Sequence, residues 1–272
     1  MSETRSNASL ALAAGIGLAA GVLSGLFGIG GGVVLVPALV LFFALPQLEA
    51  SAVSLAAIAT GAAAGLIPFA MDGEVDWVPA LIVTAGAAVG SVLASRFVSR
   101  IPERVLAWAF VVVVVGAAIR MLIPDADGTV DAIDLDLATA LILASIGLGA
   151  GFLAVTLGLG GGIIYVPSLA ILFDLDQHTA QGTSLVAIVP AAVIGAIGHA
   201  RNGRMDWRLA TVVATGSFLG GYAGGQLAQL IPPERLQIAF GILLVIMAVR
   251  MAVSTTRRGA KPTKEAPWEP PV

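Results

Sequence analysis

The 272-residue sequence contains no cysteine and two histidines. Disulfides, thiolate metal sites and cysteine nucleophiles are therefore excluded, and a histidine-rich metal centre has too few ligands. Charge is equally scarce. Asp, Glu, Lys and Arg make up 11% of the chain, against about 25% in an ordinary soluble domain. The 14 basic and 17 acidic side chains leave a net charge of −3, which excludes the basic surface of a nucleic-acid-binding protein. What is abundant is apolar: 58% of residues are hydrophobic and the mean hydropathy is +0.97. A soluble fold of this size would need far more polar surface to cover it. The composition specifies an all-α polytopic membrane protein in which no cofactor or metal is expected.

Crossing the hydrocarbon layer as a helix takes about 20 apolar residues. Eight stretches meet that length with little trimming: Ala8–Phe27, Ala50–Met71, Trp77–Val98, Val105–Ile123, Leu137–Leu157, Ala180–Ala200, Trp207–Leu230 and Leu236–Val253. Residues 1–7 are polar and too short for a secretory signal. Two further segments, Val33–Leu45 and Ile163–Phe173, reach only about 20 and 16 Å at 1.5 Å per residue, and each directly follows a glycine cluster.

The halves are copies. A shift of 130 positions superposes Gly28-Ile29-Gly30-Gly31-Gly32 on Gly158-Leu159-Gly160-Gly161-Gly162, Val36-Pro37 on Val166-Pro167, Asp76-Trp77 on Asp206-Trp207, and Arg120-Met121 on Arg250-Met251. Biased composition matches Ala and Leu by chance, but not Pro, Trp, Asp and Arg in register. The organisation expected is a polar N-terminus (1–7), a first repeat (8–123), an acidic linker (124–136), a second repeat (137–253) and a polar tail (254–272) without fixed structure.

Basic residues cluster at Arg96/Arg100/Arg104, Arg201/Arg204/Arg208 and Arg257/Arg258/Lys261/Lys264. The positive-inside rule assigns all three clusters to the cytoplasm, and with them both termini. Asp76-Trp77 then faces out while its copy Asp206-Trp207 faces in, which is an inverted repeat. That parity holds if both short segments span or both fold back. If only one spans, the halves are parallel instead.

A helix break inside a bilayer must be buried in protein or line a wet cavity. A helix N-terminus carries about half a positive charge and free N–H donors, a ready anion site, and glycine lets a ligand approach the main chain. The candidate binding residues are therefore Gly28, Gly30, Gly31, Gly32, Gly158, Gly160, Gly161 and Gly162. Glycine in membrane helices also serves plain packing, and Gly86/Gly90 and Gly216/Gly220/Gly224 read as helix contacts of that kind. Hydroxyls and an amide at Gln181-Gly182-Thr183-Ser184, matched by Ser51-Ala52-Val53-Ser54, add Thr183, Ser184 and Ser54 as candidate donors. Gln181, His199 and Glu49 are candidates for a gate or for coupling. His178 reads as a solvated loop residue, and Trp77, Trp108 and Trp207 as interfacial anchors.

These motifs resemble the TauE/SafE sulfite-exporter family, also called the toluene sulfonate uptake permease family. The resemblance rests on Gly-x-Gly-Gly-Gly-x-x-x-x-Pro in both halves, Gly182-Thr183-Ser184-Leu185, and Gly203-x-x-Asp206-Trp207, and it spans about Ala8 to Val253. It implies an inner-membrane transporter for sulfite, sulfonates or related anions. The first half departs from the pattern, with Ala52-Val53-Ser54 in place of Gly-Thr-Ser.

The leading expectation is a permease exporting a small sulfur-containing anion, by alternating access around a midplane site. An interior-negative potential drives anions out at about 2.3 kcal/mol per charge per 100 mV, so export needs no coupling ion. The alternative is an importer of an organic sulfonate coupled to protons or sodium. A remote alternative, a serine hydrolase using Ser184 and His199, fails on geometry: 15 residues of helix separate them by about 22 Å. The expected partners are the anion and the bilayer, with self-association left open.

Overall fold

Without water in the hydrocarbon layer, a peptide N–H or C=O must find its partner within the protein, and a helix does so locally. The computed structural model describes residues 7–97, 103–122, 133, 135–157 and 161–259. Among them are ten helices: α1 (Asn7–Phe27), α2 (Gly32–Phe43), α3 (Gln47–Met71), α4 (Trp77–Phe97), α5 (Glu103–Met121), α6 (Leu137–Leu157), α7 (Gly162–Leu172), α8 (Gln177–Arg201), α9 (Trp207–Gln229) and α10 (Pro233–Gly259). Each apolar stretch expected from the sequence is one of these helices. Among the described residues, α1, α3, α4 and α8 contain a stretch long and apolar enough to cross a membrane. The ends follow local chemistry. The Asp176 carboxylate accepts from the N–H groups of His178 and Thr179, and that of Asp206 accepts from Leu209 N–H, each as an N-cap. α10 continues to Gly259, since Ser254–Arg258 offers no glycine or proline to stop it. The rest of the tail, most of the acidic linker and residues 1–6 lie outside the described residues.

The repeat is structural as well as sequential. α1 to α5 correspond in order to α6 to α10. Ala44 and Asp174, equivalent residues after the two short helices, share a left-handed conformation, with φ of 51° and 52°. α1 packs on α9, and α4 on α6, which is one contact seen twice under exchange of halves. Both pairs run parallel. Gly17, Gly21 and Gly25 lie in turn against Val213, Ser217 and Gly221, while Gly86 and Gly90 lie against Ala144 and Leu148. A side chain at any of these glycines would strike backbone, so small residues set how closely the helices approach. α3 joins the α1–α9 pair in the same direction: Gly61 and Gly65 face Ser217 and Gly221. Two hydrogen bonds tie α3 to α9, Ser217 Oγ to Ala57 O at 2.8 Å and Thr60 Oγ1 to Ala214 O at 3.0 Å.

The equivalent helices α3 and α8 pack against each other antiparallel. Gly182, near the start of α8, abuts Phe69 and Glu74 at the end of α3, and Gly195, near the end of α8, abuts Leu55, near the start of α3. Copies that meet head to tail are related by inversion, and the parallel arrangement of halves does not occur. The short helices fold back. α2 ends three residues before α3 begins, and α1 is parallel to α3, so α1 starts and α2 ends on one face of the bundle. α6 and α7 make the same hairpin from the opposite face.

The face that holds the start of α1 is called the near face. It collects the α8–α9 turn with Arg201 and Arg204. The far face collects the α3–α4 turn with Asp72, Glu74 and Asp76, and the α7–α8 turn with Asp174 and Asp176. Inversion is therefore testable on a chain free of cysteine. Asp72 and Asn202 are equivalent, exposed turn positions. Asp72→Cys and Asn202→Cys are expected to react with an impermeant maleimide from opposite sides of oriented vesicles. Labelling from the same side contradicts the inverted fold.

Candidate functional site

α1 loses its regular ladder at Gly28. The Gly28 N–H still donates to Ser24 O at 2.8 Å, but Gly28, Gly30 and Gly31 then take φ of 66°, 83° and 70°, a region closed to most side chains. Gly31 ends the break: its carbonyl accepts from Val34 and Leu35 N–H, and α2 begins at Gly32. In the second half Gly161 does the same, with φ 80° and its carbonyl accepting from Ile164 and Tyr165 N–H. Gly158 and Gly160 lie outside the described residues. Neither α2 nor α7 receives a side-chain cap, so their first N–H groups have no helical acceptor and point their partial positive charge into the break.

The two breaks meet. A Cβ on Gly162 would lie 2.5 Å from both the Gly28 carbonyl oxygen and Ile29 Cα, and 2.7 Å from Cδ1 of Ile188. Ile188 is near the midpoint of α8, so the contact lies at mid-depth. Ser184 Oγ donates to the Gly28 carbonyl at 3.0 Å, and a Cβ on Gly28 would come within 3.0 Å of Cα and Cβ of Gln181. Gly28, Gly162, Gln181 and Ser184 are thus brought together, with Gly30, Gly31, Gly32 and Gly161 in the adjoining break residues.

Other candidates sit elsewhere. Thr183 turns towards the α3–α4 turn, where its hydroxyl accepts from Asp76 N–H at 3.0 Å. Glu49 and His199 are half-buried at the near face, at the start of α3 and the end of α8. A groove of about 500 Å³ between α3 and α9, lined by Ala56, Thr60, Trp207, Thr211 and Phe218 among others, contains none of the candidates.

Buried side-chain atoms without a hydrogen-bond partner occur, among the described residues, at Ser24, Ser54, Tyr165, Gln177, Gln181 and His199. Ser24 is one turn before the first break, Tyr165 is on the first turn of α7, and Gln181 is beside Gly28. Ser54 is the copy of Ser184. Gln177 and His199 lie at the two ends of α8, away from the breaks, and each unsatisfied group costs about 1–3 kcal/mol. The sequence reading missed Ser24 and Tyr165. A lone Ser in an apolar helix and a lone Tyr in a short one carry no signal until the breaks are seen to converge.

His178 corrects an expectation. It lies in the first turn of α8 and not in a solvated loop, and it is buried, with Nδ1 3.3 Å from Glu74 Oε1 and Nε2 3.1 Å from Ile231 O. The Asp176 cap starts the helix two residues earlier, and Asp-Gln-His-Thr is a readable start signal.

The steric claim has a paired test. Gly162→Ala puts a methyl against the Gly28 backbone and is expected to destabilise by about 1–3 kcal/mol. Gly149→Ala meets nothing within 4 Å and is expected to be neutral or to gain up to about 1 kcal/mol of helix propensity. Thermal unfolding in detergent micelles reads both.

The model of the family described as "Sulfite exporter TauE/SafE" matches residues 2–121 and 143–272, one match per half. The chain is 30% identical over 223 residues to the "Probable membrane transporter protein YdhB" of Bacillus subtilis strain 168, covering 80% of this chain and 90% of that protein. It is 24% identical over 259 residues to YunE of the same strain, which has the same description, covering 87% and 94%. It is also 27% identical over 249 residues to a protein so described from Xylella fastidiosa strain 9a5c, covering 89% and 94%. No solved structure matches it.

Proposed function

Because the chain belongs to the sulfite exporter TauE/SafE family, whose relatives are named as membrane transporters, we propose that it is a permease exporting a small sulfur-containing anion, sulfite or an organosulfonate. The carrying observation is the mid-depth meeting of two glycine breaks, with uncapped helix N-termini and unpartnered polar groups gathered around them.

On this reading the anion exchanges its water for N–H groups at the heads of α2 and α7. The Gln181 amide and the Ser54 hydroxyl supply further donors, while Ser184 holds the Gly28 carbonyl turned away from the anion. Electrostatic help comes from helix ends rather than from lysine or arginine, which suits release as much as capture. The inverted fold supports alternating access, with the group of α1, α3 and α9 rocking against the group of α4, α6 and α8 about the contact of α3 and α8. The arginines of the near face support a cytoplasmic assignment for that face and both termini, in the cell membrane. An interior-negative potential then drives the anion out without a coupling ion.

Flux in proteoliposomes tests this with sulfite, sulfate, taurine, sulfoacetate and an uncharged control. Efflux of at least one anion, but not of the control, is expected. At equilibrium a monoanion distributes about tenfold per 60 mV of imposed potential. Gln181→Ala and Ser54→Ala are each expected to weaken apparent affinity about tenfold or more, the scale of a hydrogen bond to a charged group. Accumulation driven by an imposed proton or sodium gradient replaces export with coupled import. Unchanged flux in both Gly31→Leu and Gly161→Leu removes the site.

A further inference from the structure

Three turns meet at the far face around one imidazole. His178, in the first turn of α8, has Nε2 3.1 Å from the Ile231 carbonyl at the α9–α10 turn. Its Nδ1 is 3.3 Å from Glu74 Oε1 in the α3–α4 turn. Glu74 Oε2 in turn accepts from Gln229 Nε2 at 2.6 Å. Both ring nitrogens thus face oxygens that can only accept while Glu74 is ionised. A neutral imidazole carries one N–H and satisfies one of them. Satisfying both takes one more proton, held as the imidazolium or on the carboxyl group and shared across the 3.3 Å contact.

We propose that Glu74 and His178 form a proton-binding site that latches the far face of the bundle, closed when the proton is held and loosened when it leaves. The latch joins the first half, through the α3–α4 turn, to α8, α9 and α10 of the second. It also acts on the helix that bears the candidate anion site, because Gln181 lies one turn beyond His178 and Ser184 about two. The remaining polar surroundings do not substitute for it. Asp176 is committed to capping the N–H groups of His178 and Thr179, and Asp76 accepts from Ile133 N–H. Asp72 in the same turn and Glu234 and Arg235 in the first turn of α10 are exposed. The Phe69 ring packs edge-on to the imidazole at 6.3 Å and limits water there.

The site has no copy. The positions equivalent to His178, Glu74 and Gln229 in sequence are Leu48, Arg204 and Ser99, which offer neither an imidazole nor a carboxylate. Two inverted halves alone give similar terms to the outward- and inward-open states. A proton site on one face breaks that equality, whatever anion is carried.

The test needs no substrate. With no native cysteine, Asp72→Cys and Glu234→Cys place two spin labels on either side of the latch, and distances are measured in lipid nanodiscs at pH 5 and pH 8. The short-distance population is expected to be about threefold larger relative to the long one at pH 5 than at pH 8, the scale of a partly exposed ion pair. His178→Gln and Glu74→Gln each keep the side-chain size and are expected to flatten that response, while His199→Gln, at the other histidine, keeps it. A wild-type distribution that does not change with pH overturns the latch. So does a wild-type response that persists in either His178→Gln or Glu74→Gln, or one that is lost in His199→Gln. Anion flux through the mid-depth site is scored separately, so the two proposals fail independently.

Discussion

A peptide group without a partner in hydrocarbon costs several kcal/mol, and the arrangement of this protein follows from where it leaves such groups. At the heads of α2 and α7 the helical ladder is interrupted, no side chain caps it, and lipid offers no substitute. Those ends are tolerable only when enclosed by protein. The enclosure comes from α8 lying across Gly28 and Gly162, with the Ser184 hydroxyl satisfying the carbonyl that the break sets free. On the proposed reading, the same unmet N–H groups that make the break expensive would bind the anion, so stability and transport would draw on one feature.

Close approach is what makes the enclosure possible. α1, α3 and α9 touch through Gly25, Gly61, Gly65 and Gly221, with backbone against backbone, and α4 and α6 repeat part of the pattern. Dispersion between closely packed helices, and not exclusion of water, holds such elements together in lipid. The result is an interlocked pair in which each half supplies the first helix of one contact and the fourth helix of the other. On the proposed reading these mixed groups of helices are the bodies that move, and α3 against α8 is the seam between them.

Symmetry sets the frame, and its departures carry the chemistry. Ser54 and Ser184 are copies, yet in the described structure one hydroxyl is bonded to a break carbonyl and the other has no partner. Gln181 stands where the first half has Ser51, and His178 where it has Leu48. Tyr165 stands where it has Leu35. Tyr165, His178 and Gln181 are in the second half, on α7 and α8, while Ser24, Ser54 and Glu74 are in the first.

The all-helical, two-halved, membrane-spanning character of the chain was legible in the residues alone, because hydrocarbon thickness, glycine geometry and repetition in register are local or periodic properties. Gly-x-Gly-Gly-Gly before a short helix identified the breaks for the same reason. Convergence of the breaks, the fold-back of α2 and α7, and the burial of His178 against Glu74 were not legible. The first and the last depend on segments 100 or more positions apart coming to lie side by side, and the fold-back depends on α1 lying parallel to α3. Thr183 and Ser184 show the limit most plainly: adjacent residues on one helix face different neighbours, Asp76 in one case and Gly28 in the other. Composition and spacing decide that a helix forms and where it must break. Packing between distant helices decides which neighbour each side of it meets, because an interface is a property of pairs and no single segment contains it.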